Sequence, residues 1–312
     1  MLLLIIKFIA YYLTHSVAIL TDALESIVNV VAGFISLYGL YVAARPRDAN
    51  HPYGHGKAEF LSAGIEGTLI FIAGIFIIIE SVDKFLHPLP IQKLDTGIIL
   101  IAVAGIINFV AGRIAINTGK KNNSLAITAT GKHLVSDSVS TAGLIIGLLI
   151  LYFTKVKWID SAVAILFGGI IIYTGIKIMR TSVAGIMDES DNNLIDHLVV
   201  LLNKNRRPNW IDMHNLRVIK YGSSLHLDCH VTMPWYLNLD EAHVEVDALA
   251  LLVKSEFGDA FELFVHTDGC LPFSCRICIK PDCQVRKHPF EQLLEWDSNN
   301  IFLNKKHELI NA

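Results

Sequence analysis

Long apolar segments fill the first 184 residues and limit the possible folds more than any other feature. Five of them cover residues 16–44, 58–86, 91–117, 125–153 and 159–184. Each exceeds the roughly 20 residues that a helix needs to cross the bilayer core. Because lipid offers the backbone no hydrogen-bond partner, such segments must be helical. The sequence therefore predicts a membrane-embedded α-helical bundle.

A shorter apolar segment, residues 1–13, precedes these five. It is too short to cross a bilayer by itself. A signal peptide is the competing interpretation, but no small-residue cleavage site follows the segment. We favour a first membrane helix whose start is missing from this chain, which gives six transmembrane helices.

The composition changes after residue 184, where the chain becomes typical of a soluble domain. Three regions follow from this change: a transmembrane domain (1–184), a cytosolic domain (185–268) and a cysteine-rich knuckle with a tail (269–312). The net charge of −3 gives no electrostatic footprint for nucleic acid, so we expect no nucleic-acid partner.

Basic residues in the connecting loops predict the orientation in the membrane. The side that we assign to the cytosol carries Arg45, Arg47, Lys57, Arg113, Lys120, Lys121, Lys132, Lys177 and Arg180, and the other side carries Lys84, Lys93, Lys155 and Lys157. Because cytoplasmic loops carry the excess of Lys and Arg, both termini are expected in the cytosol. We expect an integral protein of the cell (inner) membrane.

The pattern after residue 188 predicts an α-β-β-α-β order. Amphipathic helices are predicted over 192–204 and 240–257, and strands over 216–220, 225–233 and 261–267. Residues 221–224 read as a hairpin turn, and a short helix is predicted around 290–296. This order gives a small sheet with helices on one face.

Two polar ladders lie within the apolar segments. His133 and Asp137 are four residues apart, and Asp22, Glu25 and Asn29 are spaced three and four apart, so each ladder shares one helical face. Carboxylate and amide oxygens with one imidazole suit zinc, iron, manganese or cobalt. The alternative is that these side chains join helices by hydrogen bonds, and we favour metal.

A further carboxylate, Glu66, lies inside the third apolar segment. A charge there is costly unless it is protonated, faces water or has a partner such as Asn108. We do not assign Glu66 to metal.

Three further groups of candidate metal ligands lie outside the bundle. Asp48, His51 and His55 share one loop, where solvated histidines are an equal alternative. The soluble domain carries His214, His230, His243, His266 and Asp268, and the spacing alone does not show that they meet. Cys270, Cys275, Cys278 and Cys283 form a C-x4-C-x2-C-x4-C stretch that suits a zinc knuckle, an iron–sulfur cluster or free thiols that hand metal on. Cys229 is expected to be a buried strand residue.

The motifs S-V-A-I-L-T-D-A-L-E-S-I-V-N, N-H-P-Y-G-H-G-K-A-E and H-L-V-S-D resemble those of the cation diffusion facilitator family of metal/proton antiporters, and the chain is similar to the bacterial zinc/iron-type exporters. The resemblance covers most of the chain up to about Cys270. It implies six spans, a cytosolic ferredoxin-like domain, homodimerisation and a lipid-embedded transporter that is not an enzyme. Its substrates are a divalent metal ion, zinc first with iron, manganese or cobalt as alternatives, and protons.

The resemblance also assigns site residues. It implies a transport site at Glu25, Asn29, His133 and Asp137, and a loop site at Asp48, His51 and His55. It implies a two-metal cytosolic site at the dimer interface (His214, His230, His243, His266 and Asp268) and a charge pair of Lys57 with Asp188 that links the membrane and soluble domains. Asn29 departs from the family, which usually has aspartate there, and Asp22 is a candidate to compensate.

Two functions follow from these patterns. The first is a secondary transporter that exports a divalent transition metal from the cytosol in exchange for protons. The second is a non-transporting membrane metal sensor or metal-binding subunit, which Asn29, the short first segment and the cysteine knuckle favour. We favour the transporter because the ligand positions are otherwise filled.

Overall fold

A computed structural model describes residues 2–87, 93–121, 125–156, 158–221, 224–258 and 261–309. The chain forms two compact units. One comprises Met1–Gly39 and Leu61–Ser182, and the other comprises Leu40–Phe60 and Val183–Ala312.

Helices make up the first part of the chain: α1 (Leu2–Thr14), α2 (Val17–Ala43), α3 (Ala58–Leu86), α4 (Leu94–Lys121), α5 (Leu125–Thr154) and α6 (Trp158–Ile186). In the described part of the chain, five helices, α2 to α6, contain stretches long and apolar enough to cross a membrane, and α1 contains a shorter apolar stretch. The predicted apolar segments therefore correspond to helices, with ends shifted by a few residues.

Glycines allow these helices to approach closely at two places. A Cβ added at Gly112 of α4 would lie 2.8 Å from the carbonyl oxygen of Gly131 in α5. A Cβ added at Gly67 of α3 would lie 2.9 Å from the backbone nitrogen of Met179 in α6. In a membrane, where apolar side chains gain little by leaving lipid, such backbone-to-backbone packing is a main source of helix association.

The N-terminus of α2 is held by a carboxylate from another helix. Asp160 of α6 is buried, and its oxygens accept hydrogen bonds from the Ser16 hydroxyl (2.5 Å) and the Val17 amide (2.7 Å). The first amides of a helix have no partner within it and favour a negative charge. Asp160 thereby fixes the start of the helix that carries Glu25 and Asn29.

The second unit contains α7 (Asn192–Lys204), β1 (Asp212–Tyr221), β2 (Ser224–Met233), α8 (Leu239–Phe257), β3 (Phe261–Gly269) and a short 3-10 helix (Pro272–Arg276). The strand order is β1-β2-β3, with β1 antiparallel and β3 parallel to β2. Side chains of α7 and α8 share one core with alternate strand residues such as Leu227, Cys229 and Val231. The opposite face of the sheet thus carries the histidines of the strands.

Strand β1 begins four residues before the predicted start at residue 216. Its pairing with β2 shifts between His214 and Arg217, where one extra residue interrupts the alternation. Asn215 takes up this bulge with φ +52°, a left-handed conformation that Asn tolerates better than most residues. A search for strict alternation therefore misses the first half of the strand.

The prediction of a short helix around residues 290–296 is wrong. These residues carry no regular secondary structure. The amides of Glu291 and Gln292 donate to the Arg276 carbonyl, and Trp296 is 1% exposed in the core of the second unit. Tertiary contacts have replaced the local helical hydrogen bonds. The predicted hairpin turn lies partly outside the described residues, because 222 and 223 are not among them.

Candidate metal sites

A cavity of about 330 Å³ in the membrane unit is lined by all four residues of the predicted transport site. Glu25 and Asn29 lie on α2, and His133 and Asp137 lie on α5. The Asn29 amide donates to Asp137 Oδ2 (3.1 Å), and His133 Nε2 lies 3.7 Å from the same oxygen. Two helical ladders, each set by a spacing of four residues, thus face one another across one cavity.

Asp22 is not positioned to compensate for Asn29. Its Oδ1 atom lies 2.9 Å from Lys7 Nζ and accepts a hydrogen bond from the Thr141 hydroxyl (3.1 Å). Lys7 and Asp22 are 3% and 4% exposed, and Asp22 does not line the cavity. Lys7 is not among the residues that the sequence indicates, because its only signal there is a lone cation within a short apolar segment.

Glu66 also lines this cavity, and its hydrogen-bond partner is not the predicted Asn108. Its Oε2 atom accepts a hydrogen bond from the Ser36 hydroxyl of α2 at 3.1 Å. The Glu66 carboxylate therefore belongs to the polar wall of the same cavity. Apart from His133 and Asp137, the described residues that line this cavity include no His or Asp.

The loop residues Asp48, His51 and His55 do come together. One ligand atom from each lies within 4.8 Å of the others. Asp48 Oδ1 accepts hydrogen bonds from the amides of His51 (2.7 Å) and Asn50 (2.9 Å). The backbone hydrogen bond from His51 is the main reason that the pKa of Asp48 lies below its usual value, although desolvation opposes it. The carboxylate is thus held ionised beside two imidazoles.

Aromatic and charged contacts hold this loop on the sheet within the second unit. Tyr53 stacks on Tyr221, with ring centroids 5.6 Å apart, and the Arg47 guanidinium makes two hydrogen bonds to Glu262, at 3.1 and 2.6 Å. The predicted charge pair is also present, with Lys57 Nζ 2.9 Å from Asp188 Oδ2.

On the outer sheet face, His214, His230 and Asp268 form the second group whose ligand atoms lie within 4.8 Å of one another. His214 pairs with His230 across β1 and β2, and Asp268 lies at the end of β3. Asp268 Oδ2 lies 3.0 Å from His230 Nδ1 and 3.5 Å from His214 Nε2. The bulge at Asn215 sets this arrangement, because without the extra residue His214 would face the core.

Burial lowers the pKa of His214, and the nearby carboxylates of Asp212 and Asp268 only partly oppose this effect. Its Nδ1 atom is buried without a hydrogen-bond partner among the described residues. A neutral imidazole is the form that binds metal.

The two remaining predicted ligands of this group differ in position. The His266 ring packs edge-on against His230 with centroids 4.5 Å apart. His243 lies on α8, where it is exposed and 3.8 Å from Asp247. The structure of one chain therefore brings His266 to the group but leaves His243 outside it.

The C-terminal tail reaches this group, a feature that no spacing in the sequence indicated. His307 is buried, its Nδ1 lies 2.6 Å from Asp212 Oδ1, and its amide donates to Asp212 Oδ2 at 2.9 Å. Lys306 Nζ donates to the Gly269 carbonyl (2.7 Å) and lies 3.7 Å from Asp268 Oδ1. The tail thus places a cation beside one of the candidate ligands.

All five cysteines are free thiols. Cys229 is 2% exposed on β2 as predicted, and burial raises the pKa of its thiol to about 12. Among the described residues, no three of the sulfurs of Cys270, Cys275, Cys278 and Cys283 lie within 4.8 Å of one another. These four thiols are neighbours but do not form a closed ligand set.

Comparison with known proteins places this chain in a family. Residues 1–187 match the cation efflux transmembrane domain, and residues 195–270 match the cytoplasmic domain of cation efflux proteins. The last 42 residues, 271–312, lie outside both matches.

Several relatives are similar over most of their length. An uncharacterized transporter of Synechocystis sp. is 30% identical over 78% of this chain and 79% of its own. The cation-efflux pump FieF of Shewanella oneidensis is 25% identical over 85% and 89%. A cadmium, cobalt and zinc/H(+)-K(+) antiporter of Bacillus velezensis is 24% identical over 82% and 80%. With five bilayer-length helices and both domain matches, the chain belongs to the cation diffusion facilitator family and is an integral membrane cation efflux transporter with a cytosolic C-terminal domain.

Proposed function

We propose that this protein exports a divalent transition-metal ion from the cytosol in exchange for protons. Glu25, Asn29, His133 and Asp137 hold the metal during transport. The observation that carries this proposal is the cavity in the membrane unit, which all four side chains line from two facing helices. Ionisable groups inside a membrane are costly, and they are a mark of ion pathways.

The donor set suits the alternation that an antiporter needs. Two carboxylates, one imidazole and one amide oxygen match the ligand preferences of zinc, cobalt, iron(II) and manganese. Because metal ligands must be deprotonated, metal and protons compete for the same side chains. Metal bound from the cytosol is then released on the far side, where protons take its place.

The Asn29 side chain is central to metal choice. Its amide nitrogen donates to Asp137, and its amide oxygen is the atom that can bind a metal. An amide in place of a carboxylate also removes one negative charge from the site. This loss of a carboxylate weakens the case for zinc, because metal choice depends on ligand type and geometry. We nevertheless rank zinc first, with iron(II), manganese and cobalt as the alternatives.

The layout that we propose around this site has six transmembrane helices, with α1 as the first. Two observations support it: Ala10 packs in one core cluster with Ile101 of α4, and Lys7 is paired with Asp22 of α2. We propose a membrane domain of residues 1–184, a ferredoxin-like domain of 185–268 and a knuckle with tail of 269–312.

The cytosolic domain, we infer, senses metal and holds two copies together. The group of His214, His230 and Asp268 binds one ion, and His266 with His243 of a second copy completes the site at a homodimer interface. Asp48, His51 and His55 form the loop site. Metal bound in the cytosolic domain favours the transporting arrangement of the dimer, because the metal binds that arrangement more tightly than the other.

Transport into proteoliposomes under an imposed pH gradient tests the function. Zinc, cobalt, iron(II) and manganese are compared with wild type, His133→Ala and Asn29→Asp. We expect metal uptake that the pH gradient accelerates, loss of uptake in His133→Ala, and a changed metal preference in Asn29→Asp.

His197→Ala is the matched control, because it removes an exposed histidine of α7 that belongs to none of the proposed metal sites. Uptake at the wild-type rate in His133→Ala would contradict the transport site. A wild type that moves none of the metals while Asn29→Asp transports would favour the metal sensor, for which the hydrogen bond of Asn29 to Asp137 is the motivating observation.

A further inference from the structure

The segment from Cys270 to Arg286 connects the end of β3 to the tail, and most of it lies beyond the family match. Cys270 is the last residue of the cytoplasmic-domain match, and the other three cysteines of the segment follow it. The segment contains four of the five cysteines in the chain, all of them free. Neither the transport site nor the sheet group uses a sulfur ligand, so the segment needs a separate explanation.

A single arginine organises the backbone of this segment. The Arg286 guanidinium donates to the carbonyls of Cys275 (2.9 Å), Cys278 (3.1 Å) and Lys280 (2.7 Å). The Cys278 amide in turn donates to the Cys275 carbonyl, which forms a turn across the C-x2-C pair. Because three carbonyls converge on one rigid cation, the loop has a defined shape.

One sulfur of the segment accepts a backbone hydrogen bond. The Lys287 amide donates to Cys275 Sγ at 3.4 Å. A donor of this kind stabilises a thiolate ligand and orients it, as the outer partners of metal sites do.

The cysteines of this segment are also anchored to different parts of the fold. The Cys270 amide extends the sheet by donating to the Met233 carbonyl (2.8 Å), whereas Cys278 is 5% exposed and packs with Ile211 and Ile277. A link between these positions would fasten the loop to the end of the sheet, next to Asp268.

We propose that Cys270, Cys275, Cys278 and Cys283 bind one thiophilic divalent ion of the zinc class, as a structural site separate from transport. Soft thiolates select such ions, and four of them close a tetrahedral shell with no open position. Each thiol that becomes a ligand releases its proton to solvent.

Binding requires the segment to close around the ion. Zinc–sulfur bonds of about 2.3 Å place tetrahedral ligands about 3.8 Å apart. No three of these sulfurs now lie within 4.8 Å of one another. The ion would draw the loop onto Cys270 and so fix the start of the tail. Further along the tail, Lys306 lies beside Asp268.

Cobalt(II) titration of the full-length protein in detergent tests this site, because only sulfur ligands give cobalt an intense charge-transfer absorption in the near ultraviolet. We expect one equivalent of thiolate-bound cobalt per chain, displaced by zinc. The absorption disappears in the double variant Cys275→Ser/Cys278→Ser. It persists in Asp137→Ala and His214→Ala, which alter the other sites, and in Cys229→Ala, which removes the remaining cysteine.

Two measurements protect the test against a variant that fails to fold. Cys283→His retains a possible ligand, and it should bind cobalt with an absorption reduced in proportion to the lost sulfur. In the wild type, zinc should protect four cysteines from alkylation, as counted by mass spectrometry.

Three outcomes would overturn the proposal. One is the absence of charge-transfer absorption, or its survival in the double variant. A second is a disulfide within the segment in protein purified under reducing conditions. The third is a broad visible absorption, with iron and sulfide, in anaerobically purified protein, which would identify an iron–sulfur cluster.

Discussion

At the scale of single residues, buried charges distinguish this chain more than its apolar positions do. Lys7 and Asp22 form an ion pair inside the membrane unit, one helical turn before Glu25. Asp22 Oδ2 is buried without a hydrogen-bond partner among the described residues, so the lysine is the main compensation for this carboxylate. The pair is neutral overall, so Asp22 lies near the transport cavity without adding a net charge or a ligand to it.

Replacing Lys7 with methionine should therefore destabilise the protein strongly. The change leaves the Asp22 carboxylate buried and unpaired, and we expect a loss of about 3–5 kcal/mol. Thermal unfolding in detergent measures it. The double variant Lys7→Met/Asp22→Asn should recover most of the loss because no charge remains buried. A double variant as unstable as Lys7→Met alone would mean that packing, not charge, is the cause.

Asp191 acts both as the N-cap of α7 and as an ion-pair partner. Its carboxylate accepts hydrogen bonds from Lys220 Nζ (2.5 Å) and the Leu194 amide (3.2 Å). The contact with Lys220, followed by the amide of Leu194, lowers the pKa of Asp191. A carboxylate with a lowered folded-state pKa stabilises the fold above its unfolded pKa, and that contribution is lost as the pH falls through the folded pKa.

We expect Asp191→Ala to lower the free energy of opening of the first turn of α7 by about 1 kcal/mol at neutral pH. Asp191→Asn should lower it less, because asparagine also caps a helix. Hydrogen exchange of the first-turn amides measures both, with each variant compared to wild type at one pH. The advantage of wild type over Asp191→Asn should shrink below about pH 4, where an ordinary aspartate becomes protonated. An advantage that grows in acid would contradict this assignment.

At the scale of elements, the three strands carry the cytosolic candidate site, and the tail covers the edge strand β1 beside it. The bulge at Asn215 turns His214 toward His230, and the amides of Asn215 and Leu216 donate to the tail carbonyls of Leu303 and Ile301. The tail therefore adds a covering segment to the edge strand. An edge strand that would otherwise expose unpaired amides is protected in this way.

The tail also places Lys306 where a metal ion would be attracted. The ammonium lies 3.7 Å from Asp268 Oδ1 and is anchored on the Gly269 carbonyl. Lys306→Met should raise the zinc affinity of the sheet group about two- to fivefold, because a partly exposed charge pair is worth up to about 1 kcal/mol. Zinc titration calorimetry of Asp137→Ala, which removes the transport site, measures this change.

Lys305→Met is the matched control, since it removes an exposed lysine one residue away. Equal affinity gains in the two variants would show a general charge effect and not a local one. A decreased affinity in Lys306→Met would show that the lysine holds Asp268 in its binding position.

At the scale of the whole molecule, the proposed cytosolic site predicts that metal controls assembly. We expect zinc to raise the fraction of homodimer in detergent and a chelator to lower it, as measured by analytical ultracentrifugation. His230→Ala should remove this response because His230 lies between His214 and Asp268. Asp137→Ala should lose transport and keep the response. An unchanged response in His230→Ala would separate dimerisation from this site.

The sequence by itself determined the features that depend on local spacing. Bilayer-length apolar runs predicted the helices α2 to α6, and spacings of four residues placed His133 with Asp137 and Glu25 with Asn29 on common helical faces. Motifs identified the family, and the excess of basic residues predicted the cytosolic side of the C-terminal domain. Hydrophobicity and helical period act over a few residues, so one chain suffices to reveal them.

Only the tertiary structure decided which separate elements meet. It paired Lys7 with Asp22, gave Glu66 the partner Ser36, and turned His214 outward through a bulge. It also left residues 290–296, where the sequence predicts a short helix, without regular secondary structure. Each of these outcomes depends on packing between segments far apart in the sequence. No local pattern encodes such contacts, because the same residues at the same spacing would satisfy a different partner in a different fold.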